Sequence, residues 1–274
     1  MEKLKQKISI IGCGNIGKAI GKGLIESKII VPNRLTVTRR KTEALKELFA
    51  EMGVNVTSDN NEAVKKSSIV IIAVTPQKLN RILEEIKDNL NTGKHIIISI
   101  VTGAEIEDIK EIVEKDIPVV RVMPNTAISI KESMTCISAD KKDEDALKTA
   151  VKIFDTVGKT AVISEDLMVP ATSLVACGIA FFLRAIRAAG QGGTEIGFHA
   201  DDAIMMAAQT AKGAASLLVD GGSHPEREID KVTTPQGLTI SGLNQMEHHG
   251  FSSAMITGIV SSAQRAETIF KKNK

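Results

Sequence analysis

Lys7-Ile8-Ser9-Ile10-Ile11-Gly12-Cys13-Gly14-Asn15-Ile16-Gly17 decides how the rest of the chain is read. A β-branched run ends in glycines spaced G-x-G-x-x-G, and an amphipathic stretch follows. In that strand–turn–helix setting each glycine has its own task. Gly12 permits the tight turn, Gly14 lets a diphosphate approach the backbone, and Gly17 lets the helix lie close to the strand. Cys13, Asn15 and Ile16 fall inside the same turn, and the helix N-terminus adds amide donors and a partial positive charge. Glycine-rich turns are common, so the motif gains its weight from the βα units that follow it.

Working outward, Ile/Val-rich runs recur at 35–38, 54–56, 69–74, 95–100 and 119–122. Most are nearly unbroken, as suits parallel strands covered on both faces. Helical patterns fill the gaps at 15–27, 42–52, 62–66, 78–90 and 105–113. Two more β runs, 134–138 and 160–163, flank a helix at 144–157. The expected fold is α/β, a Rossmann-type, doubly wound and mostly parallel sheet over residues 1–164. Beyond residue 164 strand signals stop. Ala/Gly/Ser-rich amphipathic stretches at 165–189, 200–220, 225–231, 235–249 and 251–272 predict a tightly packed all-helical domain over 165–274.

Bulk composition narrows the class. The chain has 274 residues, 43% hydrophobic and 25% charged, which permits a real core and argues against disorder. A net charge of +2, from 35 Lys+Arg against 33 Asp+Glu, gives no argument for a nucleic-acid partner. Cys13, Cys136 and Cys177 are scattered and odd in number, so a reducing cytoplasm is expected rather than a disulfide framework. The histidines show no metal-ligand spacing. No signal peptide and no stretch long enough to span a bilayer is expected.

The coenzyme can be narrowed further. An NAD site places Asp or Glu about 20 residues past the glycines. Here that place is Thr38, 21 residues past Gly17, followed by Arg39, Arg40 and Lys41. A carboxylate would repel a 2′-phosphate, whereas a hydroxyl with arginines accepts it. NADPH is therefore expected over NADH, with NADH possible as a poorer donor. Ala73-Val74-Thr75-Pro76-Gln77, Ser99-Ile100-Val101-Thr102-Gly103 and Arg121-Val122-Met123-Pro124-Asn125-Thr126 also follow strands, so they project from the edge where such folds bind ligands.

In these segments the sequence resembles the pyrroline-5-carboxylate reductases. The C-terminal half agrees: Gln209-Thr210, Gly213-Ala214-Ala215, His224-Pro225, Val232 through Ile240, and Glu247 through Phe251 occur in the family's order. The resemblance implies hydride transfer from NADPH to L-1-pyrroline-5-carboxylate, giving L-proline in the last step of proline biosynthesis. It implies a homodimer through the C-terminal helices, possibly within a larger ring, with substrate held at the subunit boundary. Ala73, Val74, Thr75, Pro76, Ser99 and Val101 would line the coenzyme. Met123, Pro124 and Asn125 would border the nicotinamide, and Asn60 would lie near the adenosine phosphate. Thr234, Gly237, Leu238 and Thr239 would bind the substrate's carboxylate and imine, with Thr239 at the ring nitrogen.

The residues themselves are compatible with that assignment. Pro, Gly and hydroxyls ahead of a helix can leave amides free for a carboxylate. They also read simply as an N-cap, Thr234 before Pro235 at the first helical position. No titratable residue stands out as proton donor, which suits catalysis mainly by positioning. Departures lie in the substrate half: Leu174 through Phe181 replaces a Ser/Gly-rich stretch ending Gly-Pro-Ala-Tyr, Ala127 replaces Pro, and Gln236 and Leu238 replace Gly and Thr. Two other functions are compatible: a related reductase of another cyclic imine or hydroxy acid, with Lys212 the nearest candidate proton donor, and a non-catalytic dinucleotide-binding paralogue.

Overall fold

The β1 run Ile8–Ile11 is buried along its whole length and lies inside an eight-stranded sheet. The structure, a computed structural model, describes residues 3–272, with side chains placed for all of these except 50 and 268–272. The strands are β1 (Ile8–Ile11), β2 (Leu35–Thr38), β3 (Asn55–Thr57), β4 (Ile69–Ile72), β5 (Ile96–Ser99), β6 (Val119–Met123), β7 (Ser133–Ala139) and β8 (Gly158–Val162). Their order is β3-β2-β1-β4-β5-β6-β7-β8. The chain steps outward from β1 to β3, then restarts at β4 on the other side of β1. That reversal is the topological switch point of a doubly wound sheet.

Helices α1 (Asn15–Glu26), α2 (Glu43–Phe49), α3 (Asn60–Lys65), α4 (Pro76–Ile86), α5 (Ile106–Val113) and α6 (Glu144–Phe154) connect the strands. Strand residues sort by parity onto the two faces. Ile8, Ile10, Ile69 and Ile71 join a core with Leu24, Phe49 and Phe154, whereas Ile11, Val70 and Ile72 join one with Leu83, Ile86 and Ile109. This is the period-two alternation of a strand buried on both sides.

Pairing is parallel from β3 through β6. Strand β7 runs antiparallel to β6, with Val122 opposite Ile137. The link 124–132 is shorter than the crossover that a parallel return needs. After α6, β8 joins β7 in parallel.

The chain divides into two compact units, one comprising residues through Ala176 together with those from Ala266 on, the other Cys177–Arg265. In the first, α7 (Met168–Ala171) leads into a π-helical turn, Thr172–Cys177, whose last residue opens the second. The second holds α8 (Gly178–Glu195), α9 (Ala200–Val219), α10 (Pro225–Val232), α11 (Leu238–His248) and most of α12 (Phe251–Lys272).

Three expectations need correction. The helix expected to end at 189 continues to Glu195, carrying Gln191, Gly192 and Gly193 inside it. Helix α11 begins at Leu238 rather than Pro235, because Gln236 takes a left-handed φ of 56° that interrupts helical geometry. Finally, Glu165–Glu195 forms one helical run of 31 residues that is long and apolar enough to cross a membrane by length and composition.

Candidate active site

The three glycines behave as their spacing demands. Gly12 has φ 78°, and a Cβ there would stand 2.3 Å from Val74 Cγ1. A Cβ on Gly17 would meet Ile10 Cγ2 at 3.1 Å and Cys13 Sγ at 3.3 Å. At Gly14 the nearest neighbour of such a Cβ would be the Gly12 carbonyl, 3.9 Å away, so the backbone there lies open to an incoming group. Helix α1 has Gly14 as N-cap, no side-chain cap and no acidic residue in its first turn. The first-turn amides, including those of Asn15 and Ile16, lack intrahelical acceptors, and they suit a diphosphate. This cradle, which any side chain at Gly12 would fill, fits a dinucleotide.

Cys13 is buried under the turn, and burial pushes its thiol up to about 12, against the opposing pull of the Lys18 and Arg39 charges. It is a packing residue held in the neutral form.

The Thr38 hydroxyl was expected to meet the 2′-phosphate. The structure places it fully buried at the end of β2, accepting from the Gly12 amide at 3.2 Å and donating to Asn60 Oδ1 at 2.6 Å. Arg39 and Arg40, which follow it, are exposed. Asn60, the first residue of α3, is thereby tied to the glycine turn.

The remaining loops are positioned locally. The Ala73 amide donates to the Ile11 carbonyl at 2.8 Å, which places Val74 over Gly12. Thr75 is the N-cap of α4 and Pro76 stands in its first turn, both exposed. Ser99 is buried and its Oγ accepts from the Val101 amide at 3.3 Å. Met123 Sδ lies 2.9 Å from the Thr172 hydroxyl, and Pro124 is buried beside it in sequence. Asn125 Oδ1 caps the following turn through the Ala127 amide at 3.1 Å, and its Nδ2 donates to the Val175 carbonyl at 3.4 Å. Residues 73–76, Ser99, Val101 and Met123-Pro124-Asn125 lie at or just past strand ends on the carboxyl edge of the parallel strands.

One device escaped the sequence reading. Arg121, in mid-β6, is 5% exposed and pairs with Glu165 Oε1 at 3.3 Å. The same oxygen accepts the Ile106 amide at the start of α5, at 2.8 Å. A charge inside the apolar run Val119–Met123 demanded a buried partner, but nothing in the sequence pointed to Glu165.

In the second unit, Thr234 through Gly237 forms a tight turn closed by the Gly237 amide to the Thr234 carbonyl at 2.9 Å. Pro235 precedes the left-handed Gln236, so Thr234 closes a turn instead of capping a helix. Gly237 is the N-cap of α11, and a Cβ there would lie 2.4 Å from Thr234 Oγ1. The Gly237 amide is committed to the turn, which leaves the first amides of α11 as the donors for an anion. Leu238 is 94% exposed, and Thr239 is exposed beside it. Among the described residues no group of three or more His, Cys, Asp or Glu could hold a metal ion.

A sheet ordered outward from a switch point, with a glycine turn at its centre and an uncapped helix above it, defines a protein of the dinucleotide-binding class. Residues 7–103 match the family of NADP oxidoreductases described as coenzyme F420-dependent, and residues 165–269 match the pyrroline-5-carboxylate reductase dimerisation family. The chain belongs to the pyrroline-5-carboxylate reductase family.

Pyrroline-5-carboxylate reductase 2 of Dictyostelium discoideum is 48% identical over 96% of this chain and 93% of its own length. Pyrroline-5-carboxylate reductase 1 of the same organism is 53% identical over 97% of this chain, which spans only 50% of that longer protein. The enzyme of Methanosarcina acetivorans is 34% identical over 97% and 99% of the two chains. Among solved structures, a pyrroline-5-carboxylate reductase from Coxiella burnetii superposes with a TM-score of 0.92 at 28% identity, covering 97% and 98% of the two chains.

Proposed function

We propose that this chain reduces L-1-pyrroline-5-carboxylate to L-proline with NADPH, the closing step of proline biosynthesis. The similarity to Dictyostelium discoideum pyrroline-5-carboxylate reductase 2 through both halves of the chain carries the reading. Bound NADPH supplies the hydride to the imine carbon. The chain's own groups hold and orient. Amides at the head of α1 bind the diphosphate, Arg39 and Arg40 bind the 2′-phosphate, and Met123-Pro124-Asn125 borders the nicotinamide. Thr234 and the first amides of α11 receive the substrate carboxylate, and the Thr239 hydroxyl meets the ring nitrogen. The nitrogen takes up one proton as its carbon takes the hydride. A protonated substrate, or water oriented by Thr239, would supply that proton.

The assembly in this proposal is a homodimer through the helical half. Phe182, Leu183 and Ile196 are more than half exposed, and an apolar groove of about 760 Å³ lies between α8 and α9. A second copy would cover such surface, and would equally account for the apolar run Glu165–Glu195 without a membrane. A reducing cytoplasm suits three unpaired cysteines. The test is oxidation of NADPH followed with pyrroline-5-carboxylate as substrate. Tight NADPH binding without turnover would overturn the enzyme reading, and turnover only with other imines or hydroxy acids would overturn the substrate.

A further inference from the structure

Four residues from four separate elements form one directed chain of hydrogen bonds beside the glycine turn. The Gly12 amide donates to Thr38 Oγ1 at 3.2 Å, and the Thr38 hydroxyl donates to Asn60 Oδ1 at 2.6 Å. Asn60 Nδ2 donates to Glu85 Oε1 at 2.9 Å. Glu85 stands on the exposed face of α4, where Arg81 Nη1 lies 3.8 Å from its other oxygen.

The direction of this chain follows from what each group can do. An ionised carboxylate accepts only, an amide has a donor end and an acceptor end, and a hydroxyl does both. Glu85 therefore draws the Nδ2 end of Asn60 toward itself. That turns Oδ1 toward Thr38, which sends the Thr38 proton outward and leaves a lone pair for the Gly12 amide. Nδ2 carries two hydrogens, and Glu85 takes one. The second is a donor for a ligand. Were the amide reversed, Asn60 would present a carbonyl oxygen instead, which repels a phosphate and tolerates a ribose hydroxyl.

We propose that Glu85 is a positioning residue for coenzyme choice: it fixes the polarity of Asn60, so that the adenosine end of the site offers a phosphate an N–H and not an oxygen. The inference rests on the reading that the 2′-phosphate lies beside Asn60 and Arg39. It runs against simple Coulomb expectation, since a carboxylate near a phosphate should weaken its binding. That opposition makes it testable.

The experiment measures Kd for NADPH and for NADH, without substrate, by titrating the coenzyme's fluorescence against the full chain. Three variants are compared: Glu85→Met, Glu85→Gln and Arg39→Ala. Glu85→Met removes the acceptor, and the ratio of the NADH Kd to the NADPH Kd should fall about tenfold, the low end of what one charge-assisted hydrogen bond is worth. Glu85→Gln keeps an acceptor oxygen without the charge, so the ratio should hold or rise. A ratio unchanged or raised in Glu85→Met, or an equal fall in both Glu85 variants, overturns the proposal. Arg39→Ala separates the layers. If it lowers the ratio while Glu85→Met does not, only the Glu85 inference fails; if it too leaves the ratio unchanged, the location of the phosphate fails as well. Glu85 is exposed enough that the variants should keep the parent's melting temperature, which verifies that each is folded.

Discussion

The Glu165 carboxylate stands 3.3 Å from the Arg121 guanidinium and accepts the Ile106 amide through the same oxygen. Three stretches distant in sequence thus meet at one atom: mid-β6, the head of α5, and the root of the helical run Glu165–Glu195. Of these, β6 runs directly into Met123-Pro124-Asn125, the stretch proposed to border the nicotinamide.

Arg121 is buried, so removing Glu165 strands a charge in the sheet. Glu165→Ala should cost about 2 kcal/mol, toward the low side for a buried pair because Glu165 is itself partly exposed. Adding Arg121→Met should recover part of that loss. The chain has no Trp or Tyr, so denaturant unfolding is followed by circular dichroism. Strict additivity in the double-mutant cycle would show that the pair is not coupled.

Gly12→Ala places a methyl against Val74 and a side chain at φ 78°. Coenzyme affinity should drop at least tenfold, and stability by about 1–2 kcal/mol. Unaltered NADPH binding in this variant would remove the glycine turn from the site.

Arg39→Ala should lower the NADPH-over-NADH preference in kcat/KM by about tenfold, the loss of one charge-assisted contact to phosphate. Because Thr38 is buried and already hydrogen-bonded, Thr38→Val should act differently. It releases Asn60 and the Gly12 amide, and weakens both coenzymes. A Thr38→Val effect confined to NADPH would contradict the buried role.

His95 gives the fold a pH dependence. It is 1% exposed, accepts from the Asn91 amide at Nδ1 and donates to the Val64 carbonyl from Nε2. Burial holds its pKa below the usual imidazole value, with Lys94 adding to the effect and backbone hydrogen bonds opposing it. The unfolded chain then binds a proton more readily than the native one. Its contribution is complete above pH of about 6.5 and is lost as pH falls below that value. His95→Gln should flatten this part of the stability profile below about pH 6.5. An identical profile in parent and variant would assign the acid loss elsewhere.

Thr239→Ala should reduce kcat/KM for pyrroline-5-carboxylate at least about tenfold while leaving the NADPH Kd unchanged, since α11 carries no coenzyme contact in the proposed site. Intact turnover would take Thr239 out of the reaction.

The glycine spacing and the nearly unbroken Ile/Val runs were enough to reveal the mostly parallel sheet, because strand burial and turn geometry write themselves into neighbouring residues. The shape of 234–239 was not legible. Pro235 reads as a helix start until Gln236 is seen in the left-handed region, and that conformation leaves no mark on the residue type.

By itself the sequence determined which positions must be small, which runs must be buried, and that a carboxylate is missing where an NAD enzyme would carry one. Only the tertiary structure decided that Thr38 spends its hydroxyl on Asn60, that the Asn60 amide reaches Glu85, and that Arg121 finds Glu165. The reason is physical. Local patterns record backbone geometry and burial within a few residues, whereas the polarity of a hydrogen bond depends on a partner that only folding brings near.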